Sequence, residues 1–301
     1  MNSPAPSPRL PPLHFLLGLA VVAVWGTNFV VIHAALREFP PLLLATLRFG
    51  MAAFPAILFV ARPKIGWRNI VGYGLSIGAG QFGLLFIAMN GMIAPGLASL
   101  VIQSQVFFTI ALSLLVHGER VSRAQLAALM LGAGGLIVIG AHGDAHTTPL
   151  GLALTLGAAL SWAAGNLIVR ASRGVPMFPF IIWASLAAFP PLVLLSLVAE
   201  GPSAIAASLA RASLAGWAAV AWQAFGNTIF GFGAWSWLLA RHPAATVTPM
   251  ALLVPVFGMS AASLAIGEAM PAWKLIAAAL VVGGLALGML KSRQASGSGR
   301  G

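Results

Sequence analysis

"GLASLVIQSQVFFTIALSLLVHGER", residues 96–120, is the stretch whose reading decides the fold. It carries no formal charge before Glu119, a run long enough to cross a bilayer core, which takes about 20 apolar residues in a helix. Gln103 and Gln105 nevertheless stand near its middle. In lipid, each of those amides needs a partner that hydrocarbon cannot supply. Something polar must therefore face this segment from elsewhere in the chain.

The rest of the composition agrees with a membrane setting. Of 301 residues, 59% are hydrophobic and 7% charged, with mean hydropathy +0.96, whereas soluble domains carry about a quarter charged residues. The net charge of +11 comes from 16 Lys and Arg spread singly or in pairs between apolar stretches. Without a basic face, the charge predicts topology and no nucleic-acid partner. The absence of cysteine excludes disulfides, thiol redox chemistry and Cys-based metal sites.

Ten apolar runs follow from the same criterion: 13–36, 41–60, 69–89, 95–117, 124–141, 150–170, 178–198, 213–240, 246–266 and 272–290. They predict an all-α integral membrane protein of ten transmembrane helices, numbered here spans 1 to 10. Residues 1–12 and 291–301 are expected to be disordered, and no gap between runs holds a soluble domain. The termini and the turns on their side hold twelve of the 16 basic residues, while Arg37, Arg211 and Lys274 lie on the other. The positive-inside rule then predicts cytoplasmic termini. Arg48 remains, inside span 2.

The chain also repeats itself. Gly118-Glu119 recurs as Gly267-Glu268 and Gly134-Gly135 as Gly283-Gly284, both 149 residues later. Trp25 to Asn28, WGTN, is echoed more loosely by WAAGN at Trp162 to Asn166. Each half has five spans, an odd number, so residues 13–141 and 150–290 form two inverted repeats. Transporters commonly hold their solute where two such halves meet near the midplane.

WGTNFV in span 1, LRFGMAAFPA in span 2, residues 96–120, and VTPMALLVPVFG with its following GE together resemble the EamA branch of the drug/metabolite transporter superfamily. Within that branch the likeness is to exporters of O-acetylserine and cysteine in bacterial inner membranes. The resemblance implies multi-pass inner-membrane residence, alternating access, no enzymatic activity and no cofactor. Many relatives have a proline where this chain has Val106, whereas the matching position of the second repeat is Pro255.

The residues supply a chemistry that fits. Glu38, Glu119, Asp144, Glu200 and Glu268 all fall at span ends or in turns, so carboxylate-based ion coupling is not expected. His33 and His117 are the other titratable candidates. The deep polar groups are neutral: Asn28, Gln81, Gln103, Gln105, Asn166, Gln223 and Asn227, with Trp25, Tyr73, Trp162, Trp222 and Trp235 among them. Amides donate to a carboxylate and accept from an ammonium, and aromatic faces attract the ammonium. The expectation is an uncharged polar and aromatic cavity for a small zwitterion, against the plainer reading that each amide bonds a neighbouring helix. An aromatic or branched amino acid, a purine or a drug-like amphiphile is the alternative solute.

Gln223, Asn227, Gly231 and Trp235 recur every four residues and are expected to share the cavity-facing side of span 8. Pro249 and Pro255 are expected to free carbonyls or flex span 9. Arg48 is expected to snorkel or to bond backbone carbonyls in a structural or gating role. On span 4, Gln103 is the expected solute-facing amide, and Gln105 the one that bonds a neighbouring helix. His142 and His146 around Asp144 read as a solvated turn and not a metal site.

Overall fold

Proline opens the helices Pro12–Ala35, Pro41–Ala53, Pro95–Val101, Pro149–Ala171 and Pro202–Arg211. At a first helical position its missing N–H is one of the groups that would be unpaired anyway, and its φ is already helical. The computed structural model describes residues 10–117, 123–142, 147–172, 174–242 and 244–297. Glu119, Asp144 and His146 lie outside them, as does the side chain of His117.

The described residues form helices joined by turns, with no strand among them. Seven helices are long and apolar enough to cross a membrane. An eighth arises if Leu214–Arg241 is joined to Pro202–Arg211, which it meets at 106°, and Gln125–Ala141 and Ala272–Leu287 are shorter apolar helices. The helix Pro202–Arg211 lies between the apolar runs 178–198 and 213–240. Its only basic residue is Arg211 and most of it is exposed.

Several spans are not uniform α-helix, and the departures repeat. The helix of span 3 widens to π winding over Leu75–Gly83, and that of span 8 over Trp222–Phe230. Span 4 tightens to 3-10 winding over Ile102–Ser104, and span 9 over Thr248–Leu253. The tightening in span 4 occurs without a proline, so a proline at the Val106 position is not required for it. Pro249 and Pro255 sit in the first turns of the 3-10 segment and of Val254–Ile266, respectively. They mark where one winding gives way to the next and do not kink a continuous helix. Span 2 stops at Ala53, because the residue before Pro55 is pushed to extended backbone, as Phe54 shows with ψ 131°. Span 10 continues to Gly297, through residues expected to be disordered. Lys, Arg, Gln and Ala there are good helix formers that extend an existing ladder at little cost.

Spans 5 and 10 pair across the two repeats. A Cβ on Gly135 would stand 2.7 Å from Val281 Cγ2 and 3.1 Å from the carbonyl of Ala277. One on Gly284 would stand 2.8 Å from the carbonyl of Ala128 and 3.2 Å from the nitrogen of Gly132. Under the 149-residue offset, Gly135 becomes Gly284, Ala128 becomes Ala277 and Gly132 becomes Val281. The contact is thus reciprocal and antiparallel, as inversion of one half requires, with backbones brought close by small residues.

Three carboxylates tie the span ends together at helix N-termini, where unpaired N–H groups favour an anion. Glu200 accepts from Leu42 N at 2.6 Å and Leu43 N at 2.9 Å. Glu268 accepts from Gly96 N at 2.7 Å and pairs with Lys274 at 3.1 Å. Glu38 accepts from Ser213 N at 2.6 Å and Ser213 Oγ at 2.7 Å. All three are committed to structure.

Candidate functional site

Arg48 is wholly buried in span 2, and its side chain crosses to the π-wound part of span 8. Nη1 donates to Gln223 Oε1 at 3.0 Å and Nη2 to Asn227 Oδ1 at 2.7 Å. The guanidinium carbon lies 3.7 Å from the Phe82 ring centroid. This differs from expectation: Arg48 neither snorkels nor bonds carbonyls, because two amides four residues apart meet it within the bundle. Placing an arginine at a helix centre costs about 3 kcal/mol on insertion scales. Two charge-assisted hydrogen bonds, about 1.5–3 kcal/mol each, are of the size that offsets this.

A cavity of about 10 Å³, room for about one water, lies against this cluster. Span 2 contributes Arg48 and Phe49, and span 3 contributes Tyr73, Gly74, Ile77 and Phe82. Span 7 adds Ile181, Ala184 and Ser185, and span 8 adds Thr228 and Phe232. Spans 2 and 7 are equivalent under the repeat, as are 3 and 8, so the cavity lies between the two halves. Arg48 is the one charged residue among those lining it, while the surface the cavity presents is almost wholly apolar.

The expected site residues divide into groups. Trp235, Trp25, Asn227, Arg48 and Gln223 form one connected chain. Trp25 and Trp235 have ring centroids 5.2 Å apart, and Trp25 Nε1 donates to the carbonyl of Asn227 at 3.2 Å. The indole of Trp25 also covers Gly231, where a Cβ would collide with it. The expectation that these four residues of span 8 face the cavity is corrected: span 8 presents Thr228 and Phe232 there, while Gln223 and Asn227 bond Arg48 and Gly231 and Trp235 pack against Trp25 of span 1. Tyr73 joins Arg48 at the cavity.

Gln105 and Asn166 form a second group. Asn166 Nδ2 donates to Gln105 Oε1 at 2.7 Å and to Thr109 Oγ1 at 3.1 Å, so Gln105 bonds span 6. Gln103, Gln81 and Asn28 are buried, and none of them lines the cavity described above. Asn28 Oδ1 and Ser104 Oγ have no hydrogen-bond partner. Trp162 is half-buried against the core.

Sequence reasoning missed Phe49, Phe82, Thr228, Phe232 and all of span 7. Span 7 offered no deep amide, and the hydroxyl of Ser185 is spent on the carbonyl of Ile181 at 2.8 Å. The signal available was the repeat itself, because span 7 is the equivalent of the Arg48 helix.

Comparison with known proteins completes the picture. The EamA-like transporter family matches residues 13–141 and 149–290. A probable amino-acid metabolite efflux pump of Salmonella typhimurium is 43% identical over 275 residues, covering 89% of this chain and 92% of that protein. A probable amino-acid metabolite efflux pump of Escherichia coli is 41% identical over 276 residues, covering 90% and 92%. A solved crystal structure superposes with TM-score 0.66 at 22% identity, covering 94% of this chain and 97% of its own.

Proposed function

Because this chain belongs to the EamA-like transporter family, a multi-pass membrane transporter and not an enzyme, we propose that it exports small amino acids or their derivatives from the cell. The observation that carries this reading is the 43% and 41% identity, over nearly the whole chain, to proteins named probable amino-acid metabolite efflux pumps. O-acetylserine and cysteine are the first solutes to try.

The geometry supports a mechanism of alternating access. The cavity lies between equivalent spans of two inverted repeats, so rocking one half against the other would expose it to each side in turn. At about 10 Å³ it is too small for any amino acid, which fits a closed form that must widen. The π and 3-10 segments of spans 3, 4, 8 and 9 are the places where hydrogen-bond ladders already change winding and where rearrangement is cheapest. The described carboxylates all serve helix ends, which supports downhill export without a carboxylate-based ion site. A zwitterionic solute would find an unpartnered N–H donor at Arg48 Nε. The two groups of polar side chains, around Arg48 and around Asn166, are proposed as solute-facing and interhelical respectively. A bacterial inner membrane and cytoplasmic termini complete the proposal.

The aromatic wall of Phe49, Tyr73, Phe82 and Phe232 favours one variant of the alternative, an aromatic or branched amino acid. A radiolabelled solute panel tests both. Proteoliposomes loaded with O-acetylserine, cysteine, phenylalanine, leucine or a purine should release the true solute chemically unchanged and without need of a pH gradient. Retention of every amino acid would end the amino-acid reading. Release that requires a pH gradient would end the downhill mechanism.

A further inference from the structure

The guanidinium of Arg48 is the feature that the packing does not exhaust. Arg48 is wholly buried and is among the residues that line the cavity, yet among the described residues its guanidinium has no carboxylate partner. Glu38, Glu200 and Glu268 are held at helix N-termini by Ser213, by Leu42 and Leu43, and by Gly96. A buried charge left without a counterion is costly, and proteins ordinarily pair or solvate it.

The hydrogen-bond inventory sharpens this. A guanidinium has five N–H donors and no acceptor, so the amides of Gln223 and Asn227 must both turn their oxygens toward it. That choice fixes the orientation of Gln223 and leaves its Nε2 as a donor. In the structure Arg48 Nε and Gln223 Nε2 are both buried without a partner. Two donors cannot satisfy each other. Thr228 Oγ1, on the same wall, donates to the carbonyl of Gln223 at 3.0 Å, and neither Arg48 Nε nor Gln223 Nε2 donates to it. The cluster thus combines a net positive charge with surplus N–H groups, the complement of a two-oxygen anion. Phe82 covers one face of the guanidinium at 3.7 Å, and Gln223 and Asn227 take Nη1 and Nη2, which leaves the Nε side of its edge for such a ligand.

We propose that Arg48, flanked by Gln223, is the receptor for the carboxylate of the transported solute. The proposal rests on the reading of this cavity as the solute's path and narrows it: a free carboxylate is required, while the ammonium is secondary. Esters and amides of the same solutes are then poor substrates.

Three probes of one skeleton separate the groups: L-alanine, propionate and L-alaninamide. With the purified full chain in detergent, thermal unfolding is followed by tryptophan fluorescence at rising probe concentration. Alanine and propionate should raise Tm by about 2 °C or more near saturation, and alaninamide should be at least tenfold less effective. Arg48→Gln should lose the preference for the acids, and Arg48→Lys, which keeps charge without the planar fork, should retain part of it. Equal stabilisation of the wild type by alaninamide overturns the proposal, as does no shift with either carboxylate. Retention of the acid preference in Arg48→Gln overturns it too. Should that variant not fold, the wild-type comparison decides. A propionate effect that depends on Arg48, in a protein that exports no amino acid from liposomes, would retain the carboxylate receptor and refute the amino-acid reading instead.

Discussion

At the scale of the residue, Arg48 is the group on which most depends. Its amide partners sit on the other repeat, so it links the halves as well as facing the cavity. Asn227→Ala should remove the 2.7 Å acceptor of Nη2, leaving a buried charged donor unpaired at a cost of about 1–3 kcal/mol, and should lower transport as well. Unfolding in a defined detergent together with flux in proteoliposomes checks both. Unchanged stability would mean that the bond adds nothing in the folded state. Gln105 shows how a polar residue in a span can be spent on structure, since Asn166 takes its oxygen at 2.7 Å. Such interhelical bonds contribute about 0.6 kcal/mol on average in membrane proteins.

At the scale of the element, two devices repeat: small residues where helices touch, and carboxylates where helices begin. Gly135→Val and Gly284→Val should each overpack the span 5–span 10 contact and destabilise by about 1–3 kcal/mol, by similar amounts because the contact is reciprocal. Gly283→Val is the control, since a Cβ there meets nothing within 4 Å. Denaturant unfolding of the three variants compares them, and equal loss in the control would refute the packing account. The second device predicts a pH response. Hydrogen bonds from the hydroxyl and backbone of Ser213 hold the Glu38 carboxyl below its ordinary value of 4.5. A depressed folded pKa stabilises above the ordinary value, and that stabilisation disappears as pH falls through the folded one. Wild type should therefore exceed Glu38→Gln in stability at neutral pH and converge on it in acid. A difference that is independent of pH would assign the effect to packing alone.

At the scale of the whole molecule, the odd number of spans expected per repeat and the distribution of basic residues make one topological prediction. A reporter fused after Lys291 should be active only in its cytoplasmic form, and activity of a periplasmic reporter there would reverse the orientation proposed. The sequence by itself determined the solvent, the all-helical class and the inverted duplication. Hydropathy, span length and the 149-residue offset are properties of the chain that no packing can change. Only the tertiary structure decided which polar groups meet. Arg48 and Gln223 are 175 residues apart, and no helical period relates them. Periodicity on span 4 assumed a constant turn of about 100° per residue, yet the 3-10 winding at Ile102–Ser104 turns faster, so the angle between Gln103 and Gln105 could not be read from spacing. Span 7 was silent for a related reason. It lines the cavity with Ile181, Ala184 and Ser185, residues whose place at a functional wall is set by what faces them across the bundle.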